Sequence, residues 1–172
     1  MSPPALTVQD KLFKHDDVNR EFQRGSLTRL RLDQVTLEIA VFKPGYEDAV
    51  VDLWRRCNLT TPQNDPVEDI RKKTAFQPGL FFVGLLKGEV VGSVMVGYEG
   101  HRGWINYLAV LPEHQGQGYG RTLVERAIQE LTRLGCQKLN LQVRKTNLRV
   151  VAFYQHLGFK EDHVISLGKR LK

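Results

Sequence analysis

The sequence predicts an α/β chain, a mixed sheet of six to seven strands with helices on both faces. Three features of its pattern carry this. Three strands able to pair antiparallel come first, a strand-helix-strand-helix-strand alternation follows, and a glycine-rich turn joins a strand to the long central helix. A chain of 172 residues that is 41% hydrophobic can bury one core without staples and is short for two domains. The composition changes near residue 37. Residues 1–36 are mixed in charge, weakly periodic and interrupted by Gly25-Ser26, and read as an N-terminal extension to a domain spanning 37–172.

The elements follow in order. Leu37-Glu38-Ile39-Ala40-Val41-Phe42 is a first strand, ended by Pro44-Gly45. Tyr46, Ala49, Val50, Leu53, Trp54 and Cys57 have helical spacing, and a second helix starts at Asn64-Asp65-Pro66, with Asp65 as cap and Pro66 as its first residue. Residues 80–86 and 90–98 flank Lys87-Gly88-Glu89 as a hairpin, and Gly100-His101-Arg102-Gly103 turns into a strand ending at Val110. Leu123, Val124, Ala127, Ile128, Leu131 and Leu134 mark one face of a long helix that Gly135 can terminate. Residues 138–143 read as a strand, 147–157 as a helix capped by Asn147 with Gly158 beyond its end, and 159–167 as a last strand or two.

Between Val110 and the long helix lies Gln115-Gly116-Gln117-Gly118-Tyr119-Gly120-Arg121. Three glycines in five positions permit a tight turn with N–H groups facing inward, and the helix start adds unpaired N–H groups and a positive dipole end. Such a loop suits phosphate. Spacing sorts the phosphate compounds: no Gly-Lys-Ser/Thr follows as a P-loop needs, and the position about 20 residues on is Asn140, not the acidic residue of a dinucleotide fold.

The pattern Gln115, Gly118, Gly120, with Tyr107-Leu108-Ala109-Val110 before it and Asn147, Tyr154 and Leu157-Gly158-Phe159 after it, resembles the acyl-coenzyme A loop of the GNAT superfamily of N-acetyltransferases. The resemblance spans about residues 37–170. It implies a GNAT-like acyl-CoA N-acyltransferase fold and acetyl-CoA as co-substrate, with no metal. It also implies direct attack of a primary amine in a ternary complex, without an acyl-enzyme. The strand bearing Tyr107 to Val110 would splay from its neighbour. Its backbone, with Leu108, Ala109, Val110, Gln115, Gly116, Gln117, Gly118, Tyr119, Gly120, Arg121, Asn147 and Tyr154, would hold the cofactor. Val110 N–H would face the thioester oxygen, and the Tyr154 phenol, protonated at neutral pH, would supply a proton to the departing thiolate.

The family's frequent glutamate base has no counterpart, because Gln142 stands in Leu141-Gln142-Val143-Arg144. Glu99, His101 and Asp65 are substitutes, and a base is dispensable where enough amine is neutral. Segments including Leu53-Trp54-Arg55-Arg56-Cys57 and Gly97-Tyr98-Glu99-Gly100-His101-Arg102-Gly103 are similar to the bacterial YpeA group of that superfamily. The resemblance puts Asn64, Asp65, Tyr98, Glu99 and His101 on the acceptor side, the acceptor being a small-molecule or protein amine. A homodimer is compatible with it. The rival reading is a non-catalytic acyl-CoA sensor or interaction module.

Charge and cysteines bound the remaining classes. Of the net +6, residues 140–172 hold seven basic and two acidic side chains, so Arg144, Lys145 and Arg149 sit beside the proposed cofactor loop. Aromatics are not interleaved with them, which argues against nucleic acid. Cys57 and Cys136 form neither a disulfide framework nor paired zinc ligands. No signal peptide's apolar core and no membrane-length run occurs, so the expectation is a cytoplasmic protein that does not enter the membrane.

Overall fold

The computed structural model describes residues 36–62, 64–169 and 171. The expected N-terminal extension therefore lies almost entirely outside the described residues. β1 (Glu38–Val41) leads through a 3₁₀ turn at Pro44–Tyr46 into α1 (Glu47–Arg56). α2 (Pro66–Phe76) begins as its sequence dictates: Asp65 Oδ1 accepts from the Val67 and Glu68 N–H groups, and Pro66 takes the first position, where no donor is needed. β2 (Phe81–Leu86) and β3 (Glu89–Tyr98) form the hairpin, whose two-residue turn places both Lys87 (φ 51°) and Gly88 (φ 85°) in the left-handed region. β4 (Gly103–Val110), α3 (Tyr119–Arg133), β5 (Leu139–Asn140) and α4 (Leu148–His156) complete the described elements.

The sheet order is β1-β2-β3-β4-β5, antiparallel except for the parallel β4/β5 pair. Strand residues alternate between two apolar layers. On one face Phe81, Val83, Val91 and Met95 pack on Val50, Leu53 and Trp54 of α1 and Ile70 of α2. On the other, Phe82, Val94, Val96 and Ile105 pack on Leu123, Val124, Ala127 and Leu131 of α3 and Tyr154 of α4. Helices thus cover both faces, as expected. The α3 stripe is narrower than its periodicity suggested, since Ile128 and Leu134 stay 39% and 38% exposed.

The strand count is lower than the six to seven expected. The described residues form five, for two physical reasons. β5 stops after Asn140 because β4 and β5 diverge there, leaving 141–143 no ladder partner. Residues 159–167 are held by side-chain ties, Lys138 to Asp162 (2.5 Å) and Gln142 to Ser166 (2.6 Å), rather than by backbone pairing, and Val164, Ile165 and Leu167 are 78%, 87% and 90% exposed.

A bulge shapes β4. Ser93 faces Ala109 but Met95 faces Asn106, so two β4 residues, Tyr107 and Leu108, stand opposite Val94, and Tyr107 adopts φ 49°. The fully buried Trp54 ring stacks on Tyr107 at 4.1 Å and its Nε1–H donates to Ser93 Oγ at 2.9 Å, while that hydroxyl reaches the Tyr107 carbonyl at 3.4 Å. Replacing Ser93 with Ala leaves the buried indole N–H without its acceptor. An unfolding free-energy loss of roughly 1–3 kcal/mol is expected in denaturant titrations; an unchanged midpoint would show that the indole finds another partner.

Candidate active site

Past Trp104 the β5-facing edge of β4 has no strand beside it among the described residues. The direction of its peptides follows from the ladder: Leu111 N–H donates to Val91 O at 2.9 Å, so Leu111 and Ala109 turn their backbone groups toward β3, and Val110 between them turns its N–H and C=O to the open edge. The Val110 carbonyl is held there by Gln115 Nε2 (2.9 Å) and the Cys57 thiol (3.3 Å), a thiol that burial pushes above its ordinary pKa. Val110, Leu108, Phe153 and Tyr154 share the apolar cluster on the α3 side.

The glycine loop continues from this edge. Gly116 (φ 78°) and Gly118 (φ 86°) take left-handed conformations, and Gly118 caps α3 without any side-chain bond to the helix start. No acidic residue occupies the first turn of α3, so the N–H groups and dipole of that end remain available to an anion. Gly120 has a different constraint: a Cβ there would lie 3.3 Å from the Phe153 ring, so it permits α3 and α4 to approach. Arg149 of α4 donates to Gln115 Oε1 at 2.5 Å, bringing a guanidinium against the loop. Asn147 caps α4 by accepting from Val150 N–H, at 3.3 Å. An open strand edge leading to an uncapped helix start and a cation fits an amide-bearing arm that ends in pyrophosphate.

Tyr154 is 7% exposed, edge-on to Phe153 and Phe159, and burial drives its phenol well above the ordinary value. It stays protonated throughout the neutral range. No hydrogen bond from its hydroxyl is formed with any described residue.

The residues expected on the acceptor side divide between two places. Tyr98, Glu99 and His101 lie at the β3–β4 turn. Glu99 accepts from the His101 and Arg102 N–H groups at 2.7 and 2.8 Å, which holds its carboxyl below the usual range, and Tyr98 OH donates to Gly100 O. That turn is about 20 Å from Val110 at the strand rise of about 3.3 Å per residue. Asp65 is occupied as the α2 cap.

Asn64 instead joins two residues that sequence reasoning did not single out as site residues, Asp69 and Lys73, and the Tyr107 phenol. Tyr107 OH donates to Asp69 Oδ2 at 2.6 Å and accepts from Asn64 Nδ2 at 3.0 Å. Burial, then the Asp69 hydrogen bond, pushes its pKa up to about 12. These groups border a cavity of about 560 Å³ that also touches Lys72, Phe76, Met95 and Asn106. The only sequence signal was spacing: Asp69 and Lys73 follow Asp65 at successive helical turns, a pattern equally usual on a solvated face.

Lys73 is 9% exposed and burial lowers its pKa to about 8. The folded state therefore binds this proton less tightly than the unfolded chain. Its cost to stability is fully present below pH 8 and relieved as pH rises from about 8 to 10.5. The stability difference between wild type and Lys73→Met, followed by urea titration across that window, should move in favour of the wild type; a pH-independent difference would contradict this. Separately, CoA should raise the melting temperature of the wild type. Gly118→Val, strained at its positive φ, should lose that rise, and an unchanged rise would leave the loop a mere turn.

A profile of the acetyltransferase (GNAT) family matches residues 47–159. An acetyltransferase of Pectobacterium atrosepticum is 44% identical over 135 residues, 78% of this chain and 96% of that protein. Among solved structures, the Escherichia coli ribosomal-protein-S18-alanine N-acetyltransferase is similar at TM-score 0.64 and 24% identity, over 74% of this chain and 79% of that one. AAC(6')-Iy, in complex with the bisubstrate analogue CoA-S-monomethyl-acetylneamine, is similar at TM-score 0.65 and 19% identity, over 79% of this chain and 99% of that one.

Proposed function

The chain belongs to the acetyltransferase (GNAT) family, and from that premise we propose that it transfers acetyl from acetyl-CoA to a primary amine by direct attack in a ternary complex. The observation that carries this reading is the Val110 N–H turned to an unpaired strand edge that leads into the uncapped start of α3. Leu108 to Val110 pair with the pantetheine arm, Gln115 to Arg121 and Arg149 hold the phosphates, and Asn147 adds a side-chain contact beside its capping role. A structural relative carrying a CoA-linked analogue supports the cofactor assignment by fold alone.

The chemistry divides among this chain's groups. Val110 N–H donates to the thioester oxygen as charge develops on it. Asp69, its carboxylate already receiving the Tyr107 phenol, draws the acceptor amine to the bulge and takes up its proton as the C–N bond forms. The C–S bond breaks and Tyr154 OH protonates the departing thiolate. Asp69 thereby replaces the missing glutamate at Gln142, whose amide is committed to Ser166. We read residues 1–36 as lying outside this catalytic unit, the family match beginning at residue 47.

A panel of amines assayed for thiol release from acetyl-CoA tests the activity: release that depends on the acceptor is expected, and binding without release would make the chain a sensor. Tyr154→Phe keeps the packed ring and removes the hydroxyl. Turnover should fall by about 10² to 10⁴ while acetyl-CoA affinity by calorimetry changes little. Normal turnover would remove Tyr154 from the mechanism.

A further inference from the structure

The cavity beside the β4 bulge carries more charge than a plain amine requires. At one end stands Asp69 with the Tyr107 phenol. One helical turn further along the same face of α2, a rise of about 6 Å, stands Lys73. Its ammonium donates to the Val96 carbonyl and, at 3.4 Å, to Gln77 Oε1, both neutral acceptors, and no carboxylate among the described residues forms an ion pair with it. Lys72 borders the same cavity. It reaches Glu68 only at 3.5 Å, a carboxylate whose 2.6 Å bonds go to Arg71, so Lys72 is loosely held and can turn inward.

A buried ammonium with only neutral partners is costly, and burial has already lowered its hold on the proton. An anion entering the cavity would offset that cost and restore the charge. A simple cationic amine would meet two repelling lysines, and a wholly apolar one would leave them unused. Phe76, 76% exposed at the cavity rim, offers apolar surface beyond the charged pair.

We infer that the acceptor is a small amine that also carries a carboxylate, of amino-acid type, its nitrogen held at Asp69 and Tyr107 and its carboxylate at Lys73 and Lys72. The inference rests on the acetyl-transfer reading and specifies the acceptor of that same site. The product is an N-acetylated acid, formed as free CoA leaves.

Thiol release from acetyl-CoA is measured for matched pairs, each amino acid beside its own carboxamide. The carboxamide's amine is the less basic and so more often neutral, which biases intrinsic reactivity against the expected result. The wild type should favour the acids by at least about tenfold in kcat/KM, expressed mainly in KM. Lys73→Gln and Lys72→Gln should each bring the acid-to-amide ratio toward one. Equal use of acid and amide, or a ratio that survives Lys73→Gln, overturns the inference while leaving acetyl transfer standing. Should Lys73→Gln fail to fold, the wild-type comparison and Lys72→Gln decide alone. Acetyl-CoA binding without thiol release for any amine overturns both readings together.

Discussion

The stack of Trp54 on Tyr107, pinned by the indole bond to Ser93, is the constraint from which the rest of the site descends. Tyr107 is held at φ 49°, a conformation that costs a non-glycine residue roughly 1–3 kcal/mol and persists only where its surroundings impose it. They do so from two sides, with the buried ring face against Trp54 and the phenol between Asp69 and Asn64. The bulge that results shifts the β3–β4 register by one residue, and the pairing that resumes at Ser93 and Ala109 sets the direction of the peptides up to Val110. Loss of this anchor would disturb the Asp69 cavity and the Val110 edge at once.

The sheet separates two differently equipped faces. The α1 and α2 face carries the charged cavity, and the α3 and α4 face carries the glycine loop, the uncapped helix start and the Tyr154 phenol. Each side is also polarised: a carboxylate and two ammonium groups lie on one, and an unopposed helix dipole with Arg149 on the other. Among the described residues no three His, Cys, Asp or Glu side chains converge.

Local chemistry was legible wherever a few adjacent residues decide the conformation. Asp65-Pro66 starts α2, Lys87-Gly88 closes the hairpin, Asn147 caps α4, and Gly116 and Gly118 take the left-handed conformations that a glycine-rich turn announces. Membership in the acetyltransferase family was also legible, because its loop is a contiguous motif whose function resides in backbone N–H groups and tolerates little spacing change.

What pairs across the chain was not. Residues 138–143 and 159–167 have strand composition, but a strand exists only where a neighbour offers a ladder, and the divergence of β4 from β5 removes it. Likewise Gly120 reads as part of a phosphate loop, yet its constraint is the ring of Phe153, 33 residues later. Glu99 and His101 are suitable proton acceptors by chemistry, yet the length of β4 sets their turn about 20 Å from Val110. Asp69 and Lys73 look like ordinary helix-surface charges until α2 packs one against Tyr107 and the other over Val96. The sequence by itself thus determined the helix starts, the turns and the glycine loop, which depend on backbone conformation within a few residues. Only the tertiary structure decided the charged cavity, because its groups come from α2, β3, β4 and the turn before α2 and acquire their chemistry from burial against one another.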